Sequence, residues 1–312
     1  MDLPLATSRF FDYMKEREAI RLRKEADRIA RENFDDPQGP PWTDDPILRD
    51  FKFTNVRRYH DKTSDMLRSM FYSDHFNDDR ASILMNCALY RYFGTYEFAE
   101  AVGWYDYDDF DLFKIEDCAT DRFANKERVF TGAYVITNQG ISAPKQEVVC
   151  HHFLSDLHKA TPALLEVVQK TRSWRDLVAA MASIKGFGGT GFMSKEILLD
   201  TMMTGFWGGE VFTFHDRSFT LPADYEEWTP VGPGGMRGAA RLLGHEDPKS
   251  VRLGKGVPMD VIMAIYNAQK EFWPAENGKL YPTDIQFQMC EFDKYERVRL
   301  GQGKPRSRYR PT

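Results

Sequence analysis

Several groups of residues in this sequence have the side chains and spacing to do chemistry. Asn55, Arg57 and Arg58 fall within ILRDFKFTNVRRY, and two adjacent arginines on a short segment make a natural phosphate clamp. Asn86, Tyr90 and Arg91 interrupt the apolar, aromatic stretch ILMNCALYRYFGTYEF. A buried Asn and Arg need partners, either each other or a substrate. Gly232, Pro233, Gly234 and Gly235 lead into a helix starting near Met236. Arg237 in its first turn adds a fork of donors to a helix N-terminus, a combination that suits an anion. Asp284 stands at the start of a last helix, with Gln288, Glu291 and Tyr295 following at helical spacing.

The elements that position these groups are mostly helical. In Ser183 to Asp200, SIKGFGGTGFMSKEILLD, a capped amphipathic helix opens at Ser173, with Asp176 three residues on and an apolar stripe of Trp174, Leu177, Val178 and Met181. Gly186, Gly188, Gly189 and Gly191 break it, and a helical pattern resumes from Lys195. Such a hairpin turns backbone N–H groups outward, which suits a phosphate. The glycines also fit G-x-G-x-x-G, but a helix precedes them where a dinucleotide fingerprint requires a strand. Ser8 to Asn33 reads as a long charged helix, a solvated face with i,i+4 pairs. Asp35 to Pro46 reads as a loop. Gly94 should end the Asn86 helix and Thr95 should cap the next. Thr161-Pro162 should open a helix ending near Lys170.

The chain of 312 residues is 42% hydrophobic, enough to bury one large core or two small ones. A net charge of −5 leaves no global basic signature, so any nucleic-acid contact must be local. The tail supplies one: Lys294, Arg297, Arg299, Lys304, Arg306, Arg308 and Arg310 against Glu296 give it a local charge of +6. The four cysteines form no CxxC pair and read as reduced thiols. His151, His152 and His158 have no zinc-ligand spacing. Neither a signal peptide nor a membrane helix is expected.

The blocks FKFTNVRRYHD, NCALYRYF, IKGFGGTGFMSKEILLD, WTPVGPGGMRG and YPTDIQFQMCEFDKYERVRLGQGKPRSRY resemble the α-glutamyl/putrescinyl thymine pyrophosphorylases, the amino acid:DNA transferases of bacteriophages with hypermodified thymine. The resemblance runs from about Trp42 to Tyr309. It implies a mostly α, helix-hairpin-helix DNA glycosylase-like fold with irregular insertions. Residues 1–46 would form a charged helix and loop, and 47–312 the catalytic domain, with the hairpin at 173–203 and the basic tail at 294–312. Over the hairpin, Ile184, Gly186, Phe187 and Gly188 are similar to the glycosylase L-P-G-I-G, with Lys185 in place of the proline. Thr190 stands where lyase-type glycosylases carry their Schiff-base lysine. Asp284 resembles the glycosylase aspartate, with Asp200 its rival.

The implied activity replaces the phosphate or pyrophosphate on phosphorylated 5-hydroxymethyluracil in duplex DNA with an amino acid or a polyamine, in the cytoplasm of the infected bacterium and with no cofactor or metal. The base would flip into a pocket. There Asn86 would read its edge and Tyr90 would stack on it, while Arg58, Arg91 and Arg237 steady the leaving phosphate and Asn55 lies beside them. Asp284 or Glu291 would take the amine's proton. Gly186, Gly188, Gly189 and Thr190 of the hairpin, with Lys294, Arg297, Arg299 and Arg306, would hold the DNA backbone. A glycosylase acting on a modified base and a non-catalytic DNA-binding module are the rival readings.

Overall fold

The computed structural model describes residues 3–132, 135–189, 191–214, 217–305 and 307–309, so Thr190, Arg306 and Arg310 lie outside the described residues. In chain order the helices are α1 (Thr7–Glu32), α2 (Pro46–Asp50), α3 (Lys62–Leu67), α4 (Arg80–Phe93), α5 (Tyr96–Val102), α6 (Leu112–Ala124), α7 (Lys145–Glu147), α8 (Ser155–Thr171), α9 (Trp174–Met181) and α10 (Phe192–Thr201). After the antiparallel hairpin β1 (Val211–Phe214) and β2 (Arg217–Thr220) come α11 (Pro233–Leu242), α12 (Val257–Phe272) and α13 (Pro282–Arg299). The mostly α class expected from sequence is what is found. The chain divides into two units, residues 1–61 with 226–312, and residues 62–225.

In the first unit the core is built by α1, α11, α12 and α13. Ile285, Met289 and Phe292 recur on one face of α13 and are fully buried. Phe10 meets Phe292 edge-on at 5.3 Å, and Phe11 stacks on Phe272 at 5.2 Å. One face of the first half of α1 is therefore core, which its charges, read as those of a solvated helix, do not anticipate. Exposed pairs occur along its length, such as Lys15 with Asp12 and Arg28 with Glu25 and Glu32. Helix α11 lies so close to α13 that a β-carbon on Gly238 would stand 2.2 Å from the Met289 carbonyl oxygen. A β-carbon on Gly234 would stand 2.9 Å from Cys290 Sγ. The glycines of GPGGMRG thus permit a helix–helix contact.

In the second unit α4 is buried all round, from Ala81 to Phe93. Gly94 ends it in the left-handed conformation, and Thr95 Oγ1 accepts from Phe98 N–H, as the sequence requires. Ser173 caps α9, accepting from Asp176 N–H, and Asp224 takes the N–H groups of Trp174 and Arg175. One expectation fails. Pro162 does not open a helix but lies inside α8, which follows a π-helical turn over Val148–Leu154. A proline there leaves the carbonyl of His158 without its helical donor. Tyr107 supplies the missing donor, its hydroxyl reaching His158 O at 2.7 Å while the two rings stack at 4.1 Å.

Candidate functional site

In the first unit Asp284 stands in the first turn of α13, Glu291 two turns further along it. Pro282 sits at the first helical position, and Tyr281 N–H donates to Asp284 Oδ2 at 2.9 Å. This bond fixes the carboxyl beneath the helix end, where Asp284 is only 5% exposed. Burial pushes its pKa up to about 6, against the opposing pull of the Arg57 guanidinium. Arg57 is itself buried and donates Nη2 to the carbonyls of Asn277 (2.5 Å), Gly278 (3.0 Å) and Lys279 (3.2 Å). Its Nη1 lies 3.9 Å from Glu18 Oε1. Glu18 also takes two bonds from Arg21, while its Oε2 is buried with no partner among the described residues. A carboxyl held near neutrality beside a fixed guanidinium is a pairing suited to proton transfer next to an anion.

The other first-unit candidates have defined surroundings. Asn55 donates its amide to His60 O at 2.7 Å within its own loop and accepts from Arg17 Nη2 on α1 at 2.7 Å. Arg58 pairs with Asp61 and lies over the Phe287 ring at 4.9 Å. Glu291 accepts from Thr54 N–H at 3.1 Å and from Lys294 Nζ at 2.7 Å. Arg237 is bound through Nε to Asp293 Oδ2 at 2.9 Å and keeps 37% of its side chain exposed. Arg297 approaches the same carboxylate at 3.7 Å, and Arg299 is bound to Glu296 at 2.7 Å. The basic tail is therefore partly neutralised by two buried acids on its own helix.

In the second unit Asn86, Tyr90 and Arg91 sit on the buried α4. Asn86 donates to the carbonyls of Ser82 and Tyr105 and accepts from Tyr105 N–H, so both ends of its amide are satisfied by backbone. The Tyr90 hydroxyl donates to Gly103 O, and its ring stacks on Phe71 at 4.9 Å. Arg91 grips both oxygens of Asp200 on α10, with Nε 2.5 Å from Oδ2, and donates to Ser64 Oγ at 2.8 Å. Tyr72 donates to the same carboxylate at 3.2 Å. Burial pushes the Asp200 carboxyl upward and Arg91 pulls it down. The arrangement binds α4 to α10.

The glycine turn between α9 and α10 is shaped by sterics. At Gly186 φ is +96°, and a β-carbon there would meet Phe153 Cγ at 2.6 Å. One on Gly188 would lie 2.4 Å from Ala182 O. Gly189 has φ +69° and open space around it. Gly186 N–H donates to Gln139 Oε1, whereas the N–H groups of Gly188 and Gly189 have no acceptor among the described residues. No group of three or more His, Cys, Asp or Glu positioned to hold a metal occurs among the described residues. No helix among them is long and apolar enough to cross a membrane. Sequence reasoning passed over Glu18 and Arg17. The signal available was an adjacent acid and base on the face of α1 that also carries Phe10, Met14 and Tyr13.

Comparison with known proteins gives a consistent picture. A family model described as "5-hmdU DNA kinase, helical domain" matches residues 5–304. A 5-hmdU DNA kinase of Bacillus phage SP10 is 25% identical over 256 residues, 74% of this chain and 35% of that protein. The chain thus spans about a third of the length of that relative. No solved structure matches. The expected link to phage modification of 5-hydroxymethyluracil DNA stands at this level, with a kinase, not a transferase, as the named relative. With a match that takes in nearly all of its residues, the chain belongs to the 5-hmdU DNA kinase helical-domain family.

Proposed function

We propose that this chain acts on duplex DNA carrying phosphorylated 5-hydroxymethyluracil and replaces the phosphate with an amine, an amino acid or a polyamine. The observation that carries this reading is Asp284, a buried carboxyl with a pKa of about 6 beside Arg57. The bond from the exocyclic C5 methylene to the phosphate oxygen breaks, and the phosphate departs with the electron pair. The amine's lone pair forms the new carbon–nitrogen bond, and the Asp284 carboxylate takes the proton the amine must lose. Arg58 and Arg237 are assigned to the departing anion. A glycosylase-like helix-hairpin-helix fold would put the Gly188 and Gly189 N–H groups on the DNA backbone, since neither is used within the described protein.

A second reading is favoured by the family match. Here the chain is the base-handling part of a DNA kinase and phosphorylates nothing by itself. In support, the run GFGGTG at 186–191 has the two end glycines of a Walker A loop but continues as Phe192-Met193, where Lys and Ser or Thr are required.

One experiment separates them. Duplex DNA with phosphorylated 5-hydroxymethyluracil is incubated with the protein and a mixture of amino acids and polyamines, digested, and its nucleosides weighed by mass spectrometry. A nucleoside with phosphate replaced by one amine establishes the transferase. Unchanged nucleosides with tight binding to the modified duplex would reject the transferase and favour the kinase's recognition domain. Abasic sites would indicate a glycosylase.

A further inference from the structure

A separate concentration of positive charge lies on the first unit, on α1 and the segment paired with the tail. Arg17 is 8% exposed. It spends Nε on Thr54 O at 2.9 Å and Nη2 on Phe53 O at 3.4 Å and Asn55 Oδ1 at 2.7 Å. All three acceptors are neutral, and Nη1 is buried with no partner among the described residues. Two turns along α1, the Lys24 ammonium lies 4.9 Å from the centre of the Trp42 ring and 4.2 Å from that of Tyr309. Tyr309 is brought there by the tail, which runs against residues 50–52: Lys52 N–H donates to Ser307 O, and Tyr309 N–H to Asp50 O.

The cluster differs from the cations along α11 and α13 in having no counter-charge. Arg237, Lys294 and Arg299 each have a carboxylate at 2.9 Å or less. Arg17, Lys24 and Lys52 have none within 4.0 Å among the described residues. Asp27, one turn beyond Lys24, is turned onto Trp42 Nε1 (2.6 Å) and the N–H groups of Gln38 and Gly39. The three cations feel one another: burial, then the charges of Arg17 and Lys52, push the Lys24 ammonium down to about 8. Like charges crowded around a buried, unpartnered guanidinium edge form an incomplete site, and an anion with several oxygens completes it.

We propose that Arg17 Nη1, Lys24 and Lys52 form a phosphate-binding site, independent of the reaction proposed above, with the ring pair Trp42 and Tyr309 holding Lys24 in place. The ligand chemistry is a phosphoryl group with two or more free oxygens. It comes from either the DNA backbone or a free phosphate such as pyrophosphate.

The test uses the full chain and two variants, Lys52→Gln on the exposed segment and Lys24→Met, which keeps its stem against the rings. Each is titrated with inorganic pyrophosphate, and separately with an unmodified DNA duplex over a range of salt. Loss of one charge-assisted contact should weaken pyrophosphate binding by about tenfold. On DNA it should reduce the slope of log K against log salt by about 1. A change confined to the DNA arm identifies a backbone phosphate, and one confined to pyrophosphate identifies a free anion; either supports the site. Unchanged affinity and unchanged slope in Lys52→Gln, melting with the wild type, would overturn it. If Lys24→Met fails to fold, Lys52→Gln decides alone.

Discussion

Replacing Asp284 with Asn tests the physical basis of the proposed chemistry directly. Asn has nearly the same shape, still accepts the Tyr281 N–H, and cannot ionise. The pKa of the carboxyl is raised from 3.8 to about 6 in the folded protein, a shift worth about 3 kcal/mol. Because the folded value lies above the unfolded one, the neutral acid contributes stability that is full below pH about 4 and is lost as the pH rises through 6. Above that the wild type carries a buried anion, and the Asp284→Asn variant does not. The stability of Asp284→Asn relative to wild type should therefore climb by up to about 3 kcal/mol between pH 4 and pH 7, then level.

Urea unfolding of both proteins at matched pH values gives that difference curve. A flat curve would show that the carboxyl is not strained by burial. A falling curve would show that Arg57 stabilises the anion more than burial penalises it, and the case for a near-neutral base would go with it. The kinetic counterpart has the same midpoint. If Asp284 takes the amine's proton, kcat/KM rises with pH through about 6, and Asp284→Asn removes both that limb and the turnover. Loss of turnover without the stability signature would point instead to a damaged helix end.

Three further pairs of substitutions test the packing within the two units. Arg91→Met leaves Asp200 buried without its ion partner and should cost about 3–5 kcal/mol in unfolding measurements. Adding Asp200→Leu should recover much of that loss, and additivity of the two costs would refute a coupled pair. Tyr107→Phe should cost about 1–3 kcal/mol, because the His158 carbonyl then has no donor. Pro162→Ala restores the helical N–H, so in that background Tyr107→Phe should cost less than about half as much; an equal cost would sink the explanation. Gly238→Ala should lower stability by about 3 kcal/mol or more, since its β-carbon meets backbone at 2.2 Å. Gly189→Ala, with open space but φ +69°, should cost only about 1–2 kcal/mol. Equal melting of these two glycine variants would show that α11 can move away from α13.

The elements were legible where local chemistry decides them and illegible where distant partners do. Ser173, Gly94 and Thr95 act on residues within a turn or two, and each does in the structure what its type implies. Pro162 misled because its missing donor is replaced by Tyr107, 55 positions away. The alternating VFTF and RSFT could have announced β1 and β2, but each is only four residues long, too short for alternation to stand out. The charges of α1 hid a core because the buried Phe10, Phe11 and Met14 alternate in sequence with charged residues such as Arg9, Asp12 and Lys15 that face away from it. The same holds for the sites. Asp284 could be singled out from its place at a helix start, yet the carbonyls that fix Arg57 beside it lie 220 to 222 residues along the chain from that arginine. Arg17 and Lys24 looked like two more charges on a solvated helix. Only folding reveals that the carboxylates nearby are committed elsewhere. A surface cation paired with an acid contributes little, whereas one denied its acid is a standing demand for an anion.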